Sequence, residues 1–282
     1  MNASTAIFKG AAPLIFAMLG ALLTEYTGAL AVFMEGAIVF SGFIAALLTV
    51  STGSVYLAFA GSTVLVMLIV AISSALFVNR WKANPFLVGL SLNLFAQGVC
   101  SLYASNFSAS SNTIAFSSFE PSRHLLPSSS YFPTIAGILF TILIFLFVNY
   151  TAYGIRLRYV GKNEEVLHLN GSNCAFYKVA SWAGAAFFAS CAGNALVFRL
   201  ASYTPTIGLG KGWIGILAVF LCLKKPHFSL LAVFVFAASE YATGILQAKL
   251  TISPTLMLSF PYIFSFIVYF AYKPIYKGEK TI

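Results

Sequence analysis

The sequence predicts an all-α, polytopic membrane protein of about eight to nine transmembrane helices, and three observations carry that prediction. Mean hydropathy is +0.90, with 60% of residues hydrophobic. Only 8% of residues are charged, and aspartate is absent, whereas a soluble domain devotes about a quarter of its residues to charge. Apolar runs recur from one end of the 282 residues to the other, most of them long enough for a helix that crosses about 30 Å of hydrocarbon. Unbroken runs are helical signals, because a β-barrel shows short segments of alternating polarity.

Taken in order, apolar spans fall at residues 11–23, 29–48, 55–77, 85–104, 133–150, 179–200, 213–223, 228–248 and 255–272, two of them short. The first reads as an uncleaved span, since no small-x-small cleavage site precedes TEYTG and many spans follow. Residues 1–282 are read as a single transmembrane domain with two working loops. The loop at 105–132 is rich in serine and carries two prolines, as expected of a solvated external segment. With that loop outside, 11 of the 16 basic residues collect on the inner side and 5 on the outer, Lys211 among the latter. The positive-inside bias then places the C-terminus in the cytoplasm. A net charge of +9 is explained by this topology. No basic patch interleaved with stacking aromatics is present, so nucleic acid is not expected as a partner.

The inner loop, 153–178, differs in kind. Asn163 is a good N-cap, Glu164 and Glu165 suit the first turn of a helix, and Gly171 suits its end. A short surface helix over 164–170 follows, whose Val166, Leu167 and Leu169 form an apolar side that something outside the chain could cover.

Polar groups at membrane depth are costly and tend to face a bundle interior or an aqueous path. Gly89, Asn93 and Gln97, spaced i, i+4, i+8, share one face of the fourth span, which reads equally as a path lining or a helix seam. Glu240, Gly244 and Gln247 make a second stripe, read as packing. Glu25 and Glu35 flank Gly28 in LLTEYTGALAVFMEG, the pattern either of a helix broken at depth or of a tight turn between spans. The three histidines lie in loops or at span ends, leaving no catalytic pair and no metal site at depth. No P-loop occurs, and the GKGWIG match to a dinucleotide fingerprint lacks any βαβ unit. Cys100, Cys174, Cys191 and Cys222 show no CxxC spacing and read as structural thiols. The chain is therefore expected to be no enzyme and to hold no cofactor or metal.

Four segments carry a resemblance. TEYTGALAVFMEGAIVFSG resembles the TERxGxxNxxxEGxMxxGA signature of permease subunits of ATP-binding-cassette importers, in the branched-chain amino acid, ribose and nucleoside group. ANPFLVGLSLNLFAQG, YVGKNEEVLHLNG and SYTPTIGLGKGWIGILAVFLCLKKP are similar to three further segments of that family, in the same order, so the resemblance spans residues 24–226. Tyr26 stands where arginine is usual, and Glu165 replaces a proline.

The resemblance implies a function and a set of partners. The chain would be a multi-pass subunit of the bacterial inner membrane, forming the path for a nucleoside- or simple-sugar-like solute. The aromatic content also suits riboflavin or another aromatic vitamin. Expected partners are cytoplasmic ATPase subunits, a second permease chain, an extracytoplasmic substrate-binding lipoprotein, the small-molecule solute and membrane lipid. Gly89, Asn93, Gln97, Glu25 and Glu35 would line or buttress the path. Gly161, Asn163, Glu164, Glu165, Val166, Leu167 and Gly171 would form the coupling helix that meets the ATPases. The alternative from another class is a secondary transporter driven by an ion gradient, for which Glu240 is the candidate acid.

Overall fold

The computed structural model describes residues 3–107, 113–115, 131–169 and 171–249. The span predicted at 255–272, and most of the loop at 105–132, lie outside the described residues. Among the described residues there are ten α-helices: α1 (Ala3–Tyr26), α2 (Met34–Thr52), α3 (Val55–Ser73), α4 (Pro85–Phe107), α5 (Phe132–Tyr150), α6 (Ala152–Val160), α7 (Glu164–Leu169), α8 (Cys174–Leu200), α9 (Lys211–Leu221) and α10 (Pro226–Lys249). α3 continues without interruption into a π-helical stretch, Ser74–Arg80. Two short strands, β1 (Ile114–Ala115) and β2 (Ser202–Tyr203), pair antiparallel with Ile114 opposite Tyr203. Among the described residues seven helices are long and apolar enough to cross a membrane, and α9 is a shorter apolar helix. The protein is an all-α, polytopic membrane protein.

α1 is apolar on every side, and a helix of that kind belongs in the middle of a bundle. Ala11 to Leu22 are buried without interruption, and α5, α8, α9 and α10 surround the helix. Pro13 lies within it and lacks the N–H that would bond the Lys9 carbonyl one turn back. Arg199 Nη1 donates to that carbonyl at 3.1 Å, so α8 satisfies the group from outside the helix. This contact sits at the end of α8, while Phe16 stacks on Phe188 and Thr27 Oγ1 meets Ser181 Oγ at 2.9 Å. α1 and α8 are therefore antiparallel along their whole length.

Small residues set the closest approach between helices, as expected where packing rather than water drives association. A Cβ on Gly193 would lie 2.2 Å from Ser41 Oγ and 2.3 Å from the Ile38 carbonyl. That crossing ties α2 to α8. Asn194 reinforces the neighbouring contact with α3 by accepting from Ser62 at 3.0 Å and donating to Thr63 at 3.4 Å. α3, α4, α5 and α10 are mostly exposed along their spans and carry leucine, isoleucine and phenylalanine outward, the surface that lipid or a second chain would cover.

Candidate functional site

The stretch between α1 and α2 is a break in which the chain reverses direction within the bundle: α1 runs antiparallel to α8, whereas α2, with Met34 level with Ala185 and Ser41 against Gly193, runs parallel to it. Residues 27–33 are non-helical, yet Thr27, Ala29, Ala31, Val32 and Phe33 are buried. Irregular backbone at such depth must have its polar groups met by protein. The Ala29 carbonyl accepts from the Trp182 indole at 3.0 Å, and the Thr24 carbonyl accepts from the N–H groups of Thr27 and Ala29. Phe33 packs on the Trp182 ring at 4.8 Å. Gly28 has φ of +69°, a conformation open to glycine and strained for other residues. α2 starts beside the last third of α1, inside the bundle and not at its end: a Cβ on Gly20 would meet Met34 Cε at 2.7 Å and the Ala185 carbonyl at 3.0 Å. Ala185 is 11 residues past the start of α8, about 16 Å along its axis.

α9 starts at the same depth. Its 11 residues span about 16 Å, half a bilayer. Residues 204–210 descend along α2 to reach it, with Gly208 against Ile38 and Val39, and Gly212 against Glu35. Glu35 lies where the two helix starts meet. It occupies the first turn of α2, and its Oε2 accepts the N–H of Gly210, the N-cap of α9, at 3.1 Å. One carboxylate thus faces the positive ends of two helices, the placement that stabilises an anion.

Gln97 Nε2 donates to Glu35 Oε1 at 3.5 Å and to Asn93 Oδ1 at 3.2 Å. Gly36 backs directly on Asn93, and Gly89 packs against Val32 and Phe33. The stripe Gly89, Asn93 and Gln97 therefore faces the start of α2, with Asn93 4% exposed and Gln97 partly exposed. Beside this cluster Lys211 Nζ pairs with Glu240 at 3.2 Å. Lys211, counted from the sequence among the outer loop charges, is instead a half-buried residue at the head of α9. Glu240 finds its partner within the chain. Gly244 has open space around it.

Glu25 belongs to a different place. It pairs with Lys224 at 2.8 Å at the end of the bundle that also carries Arg80, Arg158 and Lys162. Tyr26, at the position where arginine was expected, donates its hydroxyl to the Lys224 carbonyl at 2.7 Å. Leu223 and Lys224 both have positive φ, 51° and 61°, so these contacts hold a strained turn between α9 and α10. Gly161 is wedged below the α1–α2 break: a Cβ there would lie 2.3 Å from the Tyr26 carbonyl and 2.9 Å from the Gly28 N–H.

Beyond Gly161 the predicted surface helix is present as α7. Asn163 Oδ1 accepts from the Glu165 N–H at 3.2 Å, Glu164 pairs with Lys178, and Gly171 has φ of +69°. Its apolar side is divided. Leu167 is buried against Leu157, Val160, Cys174 and Tyr177, so the chain itself covers it, while Val166 is 44% and Leu169 88% exposed.

Gly210, Lys211, Gly212 and Trp182 were not singled out from the sequence as site residues. A run of glycines ahead of a short apolar segment was the available signal for the first three; nothing in the local pattern marks Trp182. Among the described residues no group of side chains could hold a metal, and the four cysteines are free.

Helices that begin inside the bundle, a buried polar cluster where they meet, and an exposed loop wedged against one of the breaks are the features of a helical membrane protein of the transporter class. Residues 4–271 match the family described as branched-chain amino acid transport system / permease component. The chain belongs to that family, and is accordingly the permease subunit of an ATP-binding-cassette transporter, a transport subunit rather than an enzyme. Subunits of this family work in general with ATPase subunits and a substrate-binding protein. Comparison with curated proteins finds no match, and comparison with solved structures finds none either.

Proposed function

We propose that the chain is the permease of an importer for a nucleoside- or simple-sugar-like solute, and that α7 is the element on which the ATPase subunits act. The contact of Gly161 with the α1–α2 break carries this reading. It joins an exposed helix, through backbone packed too tightly for a Cβ, to the segment that leads to Glu35. A push on α7 is transmitted to the start of α2, and through Tyr26 and Glu25 to the turn that ends α9. Both helix starts inside the bundle then shift as rigid bodies, the kind of movement that exchanges outward and inward access.

In this reading the end carrying Arg158 and Lys224 is cytoplasmic, as the positive-inside bias favours, and the protein sits in the bacterial inner membrane. A second permease chain covers the exposed faces of α3 and α4. Gln97, partly exposed, contributes to the path, while Asn93, Gly89 and Glu35 hold α2 and α4 together behind it. Glu25 buttresses the cytoplasmic end. The ion-gradient alternative is less favoured, because Glu240 is held in a pair with Lys211.

Reconstitution with a partner ATPase and substrate-binding protein tests the reading. Glu164→Arg with Val166→Asp should release the ATPase subunits and abolish ATP-driven uptake, and intact co-purification with normal stimulated hydrolysis would refute the role of α7. Gln97→Leu should reduce uptake of labelled nucleoside or ribose. Saturable uptake of riboflavin, with none of either, would move the solute to the aromatic vitamins.

A further inference from the structure

The basic end of the bundle contains a cleft that shares Glu25, Tyr26, Gly161 and Lys224 with the transport reading, which gives its remaining cations no role. Its volume is about 430 Å³, and Arg158, Lys162, Lys224 and Lys225 line it together with Phe145 and Glu25. Glu25 is the one carboxylate among the described lining residues, and Lys224 already neutralises it. Arg158 is held in place by donating to Asn149 Oδ1 at 3.0 Å, and Lys225 Nζ lies 5.9 Å from the Phe228 ring. Among the described residues, three cations therefore face one cavity without an acid of their own. Such a site calls for an anion with several acceptor oxygens.

The surroundings identify the source of that anion. The cleft is bounded by the end of α5 and the start of α10, two candidate spans that are mostly not buried. Directly along these helices Leu146, Phe147, Phe228 and Leu231 face outward, and Tyr150 and Tyr153 are exposed at the same end, as aromatic residues are at a membrane interface. An anion in the cleft would have an apolar surface running away from it toward the membrane centre. Basic pockets between spans at an interface suit acidic lipid headgroups. We propose that this cleft binds the phosphodiester headgroup of an anionic membrane lipid, bridging Arg158 and Lys162 of the α6 side to Lys225 beside α10. The inference is independent of the solute and of the ATPases.

Native mass spectrometry of the delipidated full chain in detergent, titrated with phosphatidylglycerol and with phosphatidylcholine, tests it. Phosphatidylglycerol should bind more tightly. Its affinity should fall about fivefold in Lys162→Gln or Lys225→Gln and roughly 25-fold in the double variant, following about 1 kcal/mol per cation near a lipid surface. Lys162→Arg and Lys225→Arg should retain binding, which separates loss of charge from misfolding, and Lys82→Gln at the same end should change nothing. Equal binding of the two lipids, or an equal loss in Lys82→Gln, would overturn the proposal. Complete displacement by millimolar inorganic phosphate would assign the cleft to a soluble anion instead. Loss of ATPase co-purification in the double variant, with phosphatidylglycerol binding intact, would assign it to a protein partner.

Discussion

Glu35 has both carboxylate oxygens engaged, one by the Gly210 N–H and one by Gln97. Hydrogen bonds to a charged group are worth about 1.5–3 kcal/mol each, and removing the acceptor leaves the donor stranded. Glu35→Ala should therefore lower stability by about 2–3 kcal/mol, read as a reduced thermal midpoint in detergent. Glu35→Gln keeps an acceptor oxygen and should lose clearly less. Equal losses in the two variants would show that the charge, not the hydrogen bond, holds the two helix starts together. Tyr26 is explained at the same scale. A tyrosine reaches the Lys224 carbonyl with a hydroxyl, where an arginine would add another cation to an end already rich in them.

At the scale of elements, the spans that hydropathy marks best are α3, α5 and α8, because a long apolar run between polar ends needs no knowledge of its neighbours. The elements that hydropathy misplaces are those whose polar groups are met from far away in sequence. The break at 27–33 reads equally as a turn until the indole of Trp182 is found on the Ala29 carbonyl. The start of α9 reads as a solvated loop because Lys211 sits there, and its partner Glu240 lies on another helix. The amide stripe on α4 was legible as a face; what that face touches was not. Glycine is equally ambiguous in sequence and sharply divided in structure. Gly193 has no room for a Cβ, whereas Gly98 has nothing within 4 Å. Gly193→Val should prevent α2 and α8 from closing and greatly reduce the yield of monodisperse protein on size-exclusion chromatography. Gly98→Val should leave it unchanged. Similar profiles for both would mean that α8 can shift to admit the side chain.

At the scale of the whole molecule, the exposed loop and the buried cluster are joined by contacts at the basic end. Glu25 and Lys224 tie the end of α1 to the turn after α9, so a reversal of one charge should disturb the linkage and a reversal of both should restore it. Glu25→Lys should lower thermal stability and ATP-driven uptake, and Glu25→Lys with Lys224→Glu should recover most of each. Because the exchange leaves the charge of the neighbouring cleft as it was, failure to recover would show that the orientation of the pair matters beyond its attraction.

The bond between Glu35 and Gly210 spans 175 positions of the chain. At about 5–20 residues per second, a ribosome takes roughly 9–35 s to pass from one to the other. During that interval α2, α3, α4, α5 and α8 are made, and the carboxylate at the head of α2 waits without the amide that completes its surroundings. Nascent chains meet this problem in a fixed order, and here the short α9 is the piece that ends the wait. The sequence of synthesis thus sets the short α9 between walls already standing, and α10, made after it, closes over both α9 and α1.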